Sequence, residues 1–280
     1  MENSYIIAQP LLQQLGPNMN INAPFPTKQI PNVDPFLLLH HFGPIDVQSR
    51  KDFLVPPHPH KGFEAITFLF SGSIEHKDSL GNSGLLQSGD IQWMTAGNGI
   101  EHQEGYPFEG VKQTIEGIQL WVNLPANEKQ NKPRYQDIQS KDIPILLEGL
   151  NIIRVFAGNF EGKQAPTKTV TDITALHVKV ENSIERSFQL NNNYNVVLYI
   201  LHGNVSVEGI PDPIGGGAAL ILKNRTEPIV VSINEKSEFV LLGGIPINEP
   251  IASYGPFVMN YDEEIITAIK EYRSGAWGKV

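Results

Sequence analysis

Short apolar stretches punctuated by turn residues dominate the chain, and few of them follow helical spacing. Phe36–Phe42, Ala65–Phe70, Ser73–Lys77, Asp90–Thr95 and Thr114–Val122 read as strands, each bounded by Gly, Pro or Asn. Turn signals recur between them at intervals of roughly ten residues, the rhythm of an antiparallel sandwich or barrel. The polar stretch from Asn127 to Gln136 interrupts this pattern and reads as a connection. Strand patterning resumes from Ile143 with Ile152–Phe156, Ala175–Val180, Val196–Leu201, Ala218–Leu222, Ile229–Ile233 and Phe239–Leu242. The expectation is an all-β protein of two domains, residues 1–130 and 145–280, joined by a linker at 131–144.

Only the last stretch differs. Asn260 is an N-cap candidate with Glu263 three residues on, in the manner of a capping box. Ile265, Ile266, Ile269 and Tyr272 follow helical spacing and Gly275 ends it, which predicts one amphipathic helix packed outside a barrel. Composition agrees with this picture. The 280 residues are 40% hydrophobic and 18% charged, with 25 Gly and 21 Pro, enough to bury sizeable cores between tight turns.

Charge narrows the function classes. The formal net charge is −9 and no Lys/Arg cluster tracks a phosphate backbone, so direct nucleic-acid binding is not expected. No apolar run has transmembrane length and no signal-peptide pattern follows Met1, so the expected location is the cytoplasm and no membrane partner is expected. Cysteine is absent, which removes disulfides and thiolate metal sites.

Two segments carry chemistry: His58-Pro-His60 and His102-Gln-Glu104. Residues i and i+2 of a strand share a face, so each segment offers two ligands side by side. Two such strands in one barrel would converge three imidazoles and a carboxylate. That sulfur-free set suits Fe(II), Mn(II), Ni(II), Cu(II) or Zn(II) better than Ca(II) or Mg(II). Of His40 and His41, alternation sends one inward as a hydrogen-bonded core residue; His76 reads as part of a solvated face. His177 and His202 stand alone, so no metal is expected in the C-terminal half. Glu64 would share the face of His58 and His60 if the strand ran unbroken past Gly62, as a fifth ligand or a group behind the ligands. Gln119 is a candidate to orient a ligand or a bound water.

The run His58-Pro-His-Lys-Gly-Phe-Glu64, the run from His76 to Gly84 and the run from Gly89 to Glu104 closely resemble the pirin family of the cupin superfamily. Gln119-Leu-Trp-Val-Asn-Leu-Pro125, Asn248-Glu-Pro-Ile and Tyr254-Gly-Pro-Phe-Val-Met-Asn260 resemble it too, so the likeness runs nearly end to end. The resemblance implies a bicupin, two stacked antiparallel β-barrels of the double-stranded β-helix type, with Fe(II) in the N-terminal one only. Its ligands would be His58, His60, His102 and Glu104. Lys61 stands where the family usually has Arg, which keeps the charge but loses the planar fork near the pocket mouth.

Two functions follow from the resemblance. Bacterial pirins imply a quercetin 2,3-dioxygenase, which opens a flavonol with O2 and releases carbon monoxide. In that case Glu104 would take the substrate proton, and Phe53, Phe68, Trp93 and Met94 would wall an aromatic substrate. Eukaryotic pirins imply instead an iron-dependent regulatory protein acting through a protein partner, which the acidic charge would fit. No nuclear-localisation run of Lys/Arg is present, which favours the enzyme.

Overall fold

The computed structural model describes residues 5–15 and 19–280. The chain forms two compact units that do not follow its linear order. One comprises Gln13–Ile21, Leu38–Ser140 and Ile247–Val280; the other takes Asn22–Leu37, Lys141–Pro246 and a segment ending at Leu12. The linear division at 131–144 is thereby corrected. Contacts between residues far apart in the chain, which sequence proximity does not reveal, decide the membership of the exchanged segments.

Each unit is built from a seven-stranded and a four-stranded sheet. The first holds most of the large sheet that runs Arg134–Ile138, Ile91–Thr95, Phe63–Ser71, Gln113–Asn123, Phe36–Val47, Met19–Phe25 and Leu12–Leu15. Its small sheet runs Leu54–His60, Ile100–Gly105, Ser73–Asp78 and Ser83–Gln87. The second unit repeats this plan with a large sheet from Tyr5–Ala8 to Ile145–Glu148 and a small one from Ile184–Phe188 to Ile214–Gly215. Its core shows the alternation that makes strands of these sequences: Leu176, Val178 and Val180 point inward with Val196, Leu198 and Ile200.

All the strands expected from apolar patterning are present, most of them a residue or two longer at one or both ends. The polar connection is not a linker. Arg134–Ile138 pairs with Ile91–Thr95 as an edge strand, Tyr135 opposite Met94. Lys129, of the same stretch, is only 1% exposed. Its Nζ donates to Asn123 Oδ1 at 2.6 Å, to the Gly62 carbonyl at 2.7 Å and to that of Val258 at 3.2 Å. A buried ammonium needs such a set of acceptors, and the two carbonyls come from distant parts of the chain.

The helix spans Asp262–Arg273 and lies in the first unit, so it does not close the second. Its acidic residue is one position later than expected: Glu264 accepts from the amides of Asn260 at 2.9 Å and Tyr261 at 3.0 Å. Asn260 instead turns its side chain to Glu249 and the Pro250 carbonyl. Ile265 and Ala268, with Ile269 and Tyr272, pack on Phe257 and Met259, while Ile266 faces outward. Among the described residues no helix is long and apolar enough to cross a membrane.

Candidate metal centre

Two neighbouring strands of the small sheet bring the histidines together. Leu54–His60 pairs antiparallel with Ile100–Gly105, which sets His102 directly opposite His58 and Ile100 opposite His60. The ligand-type atoms of His58, His60 and His102 lie within 4.8 Å of one another. Ring centroids are 4.3 Å apart for His58 and His102 and 4.8 Å for each of the other two pairs. Phe63 and Trp121 pack edge-on against His60 at 5.1 and 5.2 Å.

The nitrogen atoms fit a cation. His58 Nδ1 lies 2.8 Å from the Pro56 carbonyl, so this nitrogen carries the proton and Nε2 keeps its lone pair. That lone pair points at His102 Nε2, 2.9 Å away. Burial, then the neighbouring imidazoles, holds the pKa of His60 and His102 well below 6.5, so both rings are neutral at neutral pH. Three converging imidazoles, two of them fully buried, are a donor set for a divalent transition metal.

Glu104 stands outside this close triad, on the same cavity. A β-bulge between His102 and Glu104 breaks the register, so Glu104 sits opposite Val55 and, on its other side, His76. The carboxylate is buried, and desolvation raises its pKa above the usual range.

His58 and His60 of the triad lie on the wall of a cavity of about 400 Å3. Met19, Ile21, Leu38, Phe42, Phe53 and Trp121 make most of the lining, and His40, Thr67, Gln119 and Glu104 supply its polar points. Thr67 and Gln119 face each other on adjacent strands, and Gln119 Nε2 donates to Thr67 Oγ1 at 3.1 Å and to the Ile66 carbonyl at 3.0 Å. Gln119 thus keeps its carbonyl oxygen available to the cavity.

Several expectations are corrected here. Glu64 is fully buried but lies on the reverse face of its strand from Thr67, where Thr95 Oγ1 donates to it at 2.7 Å. The strand does not run unbroken: the Leu54–His60 strand ends before Gly62, and a new one starts at Phe63. Lys61 is not at the pocket mouth; it is 3% exposed beneath the C-terminal helix. His76 is buried, not solvated, stacked on Tyr135 and 3.4 Å from Asp137. Phe53 lines the cavity; Phe68, Trp93 and Met94 are core residues off its wall. Trp93 sits opposite Ile66, on the reverse face with Phe68. Of the histidine pair, His41 is the core residue, 3.1 Å from Glu116, and His40 looks into the cavity. Trp121 and His40 were legible only as members of strands; which strand face meets the cavity is a tertiary fact.

Two antiparallel units of matching strand order, one of them holding converging imidazoles beside an apolar cavity, define a two-domain cupin. Residues 18–122 match the family model Pirin and residues 175–278 match Pirin C-terminal cupin domain. A Pseudomonas aeruginosa protein provisionally named a quercetin 2,3-dioxygenase is 37% identical over 252 residues, 87% of this chain and 86% of that one. The chain belongs to the pirin family. A crystal structure of quercetin 2,3-dioxygenase from Acinetobacter baumannii superposes with a TM-score of 0.91 at 31% identity, covering 98% of this chain and 97% of that one. The nickel(II) complex of the Escherichia coli bacterial pirin YhhW shares the fold at 20% identity and a TM-score of 0.69, covering 86% of this chain and 99% of that one.

Proposed function

We propose that this protein is a metal-dependent dioxygenase that opens flavonols such as quercetin with O2. The observation that carries this reading is the convergence of His58, His60 and His102, the first two of which line an apolar cavity with Glu104. The similarity to the A. baumannii quercetin 2,3-dioxygenase over nearly the whole chain supports the substrate class. His58, His60 and His102 would hold the metal through ring nitrogens, with Glu104 as the fourth ligand when its carboxylate turns toward them. Fe(II) is the first choice; Mn, Ni, Cu and Zn suit the same donors, and a bacterial pirin has been crystallised with nickel(II). A bound divalent ion would lower the pKa of the flavonol 3-hydroxyl and favour the electron-rich anion that reacts with O2.

The chain's own residues then have distinct tasks. Glu104 takes the 3-hydroxyl proton at its carboxylate, because a carboxyl raised by burial is a better base than an exposed one. Phe42, Phe53 and Trp121 wall the planar rings and keep water away from the reacting carbon atoms. The Gln119 carbonyl and His40 offer hydrogen bonds to hydroxyls at the rim of the substrate.

Iron-loaded protein is expected to remove the visible absorbance of quercetin only when O2 is admitted. His102→Ala should lose both the metal and the turnover, read by mass spectrometric metal content beside the assay. Glu104→Gln should lower kcat by about 100-fold or more if Glu104 is the base. Normal turnover in metal-free protein, or none in protein shown to carry one equivalent of iron, would overturn the reading.

A further inference from the structure

Two of the three histidines sit on an edge strand. Leu54–His60 is the outermost member of the small sheet and is bonded on one side only, to Ile100–Gly105. An edge strand held from one side frays more easily than a central one, yet a metal centre needs its ligands held closely in place. The chain just past the end of Leu54–His60 is pinned by the last stretch of the sequence. Lys61, next to His60, donates its amide to the Pro256 carbonyl at 3.3 Å and accepts from the Val258 amide at 3.0 Å. Its buried Nζ donates to Glu271 Oε2 of the helix at 3.0 Å and to the Asn98 carbonyl at 2.6 Å, and lies 5.4 Å from the Trp277 ring centre.

The other ligand strand is gripped in the same way. Glu101, next to His102, accepts from the Tyr272 hydroxyl at 2.8 Å and from the Val280 amide at 3.0 Å. Glycines make room at both places. A Cβ on Gly62, two residues after His60, would strike the Val258 carbonyl, and one on Gly99, three before His102, would strike the Trp277 ring. The charged residues beside both ligand strands therefore turn away from the cavity to bind one segment, and the backbone beside each is cleared for it.

We propose that Pro256–Val280 is a clasp that positions the histidine triad, with Lys61–Glu271 and Glu101–Tyr272 as its two positioning pairs. The clasp joins the edge strand to its neighbour from outside, so His60 and His102 keep one separation whether or not the site is filled. Lys61, rather than serving an anion at the pocket mouth, sets metal affinity by holding His60. This rests on the metal reading given above, and the test separates the two.

The experiment is a Co(II) titration of full-length protein against a competing chelator, with the visible d–d spectrum and apo-protein thermal unfolding recorded alongside. The variants are Lys61→Met, Lys61→Arg, Glu271→Gln and Tyr272→Phe. Lys61→Met should weaken Co(II) binding about tenfold or more, the scale of losing a group that orients a ligand, and alter the spectrum. Lys61→Arg should restore both, since a guanidinium keeps the charge and stacks on Trp277. Tyr272→Phe and Glu271→Gln remove single contacts from partly exposed side chains and should each weaken binding several-fold with the apo transition nearly unmoved; they carry the test if Lys61→Met does not fold. Parent-like affinity and spectrum in the folded variants would overturn the clasp while leaving the metal site standing. Failure of the parent itself to bind Co(II) would overturn the metal reading, and the clasp with it.

Discussion

His40 shows how a single residue in the cavity couples function to stability. Burial lowers its pKa from 6.5 to about 4, because the apolar wall disfavours the imidazolium. The folded state therefore refuses a proton that the unfolded chain accepts below pH 6.5. Stability is unaffected by this group above that pH, falls as pH drops toward 4, and levels off below it. Between pH 7 and 5 the loss should be about 2 kcal/mol, from 1.36 kcal/mol per pH unit over the titrating interval. Urea unfolding of the metal-free protein at the two pH values checks this, and His40→Leu should show a shallower dependence by that amount. An unchanged slope in His40→Leu would show that another group sets it.

At the scale of elements, small departures from regular strands decide the chemistry. The bulge opposite the His102–Glu104 step pairs Glu104 with Val55, and the carboxylate lies outside the close triad but on the cavity. The extra residue lies in Leu54–His60, where Pro56 and Pro57 oppose the single Gln103; removing one of them would turn Leu54 and Val55 to the opposite face. Gly117 is a second such point, in the strand that carries Gln119 and Trp121. A Cβ there would lie 2.5 Å from Phe42 Cζ and 2.7 Å from the Phe68 carbonyl, so the Phe42 ring and the strand behind it must both shift. Gly117→Ala should cost about 1–3 kcal/mol in chemical denaturation, as overpacked cores do, and should disturb the cavity through Phe42. An Ala variant as stable as the parent would show that the wall can relax.

At the scale of the whole molecule, the exchanged segments make the unit that bears the histidines discontinuous in sequence. It needs Ile247–Val280, about a hundred residues beyond Ser140, to pin the chain just past its edge strand and complete its cavity with Pro256. A chain ended after Ser140 is accordingly expected to melt non-cooperatively or aggregate, and to bind Co(II) far more weakly than the full chain, measured by calorimetry and titration. Cooperative unfolding with full-chain affinity would show that the segment is dispensable.

The sequence alone determined the all-β class, the two strand-rich halves, the closing helix and the three histidines that meet. Each rests on a short-range rule: alternation along a strand, helical spacing, or two ligands at i and i+2. The same rule proposed Glu104, but its place outside the close triad is not in that rule, nor is the bulge in the facing strand, which is a mismatch between two strands. Tertiary structure alone decided that Glu64 turns away from the cavity and that His40 and Trp121 line it. It alone buried His76 and Lys129, and made Arg134–Ile138 an edge strand rather than a linker. The reason is common to all of these. Which face of a strand is inward, and which distant segment covers an edge, depend on pairings between residues far apart in the chain, and no local pattern records them.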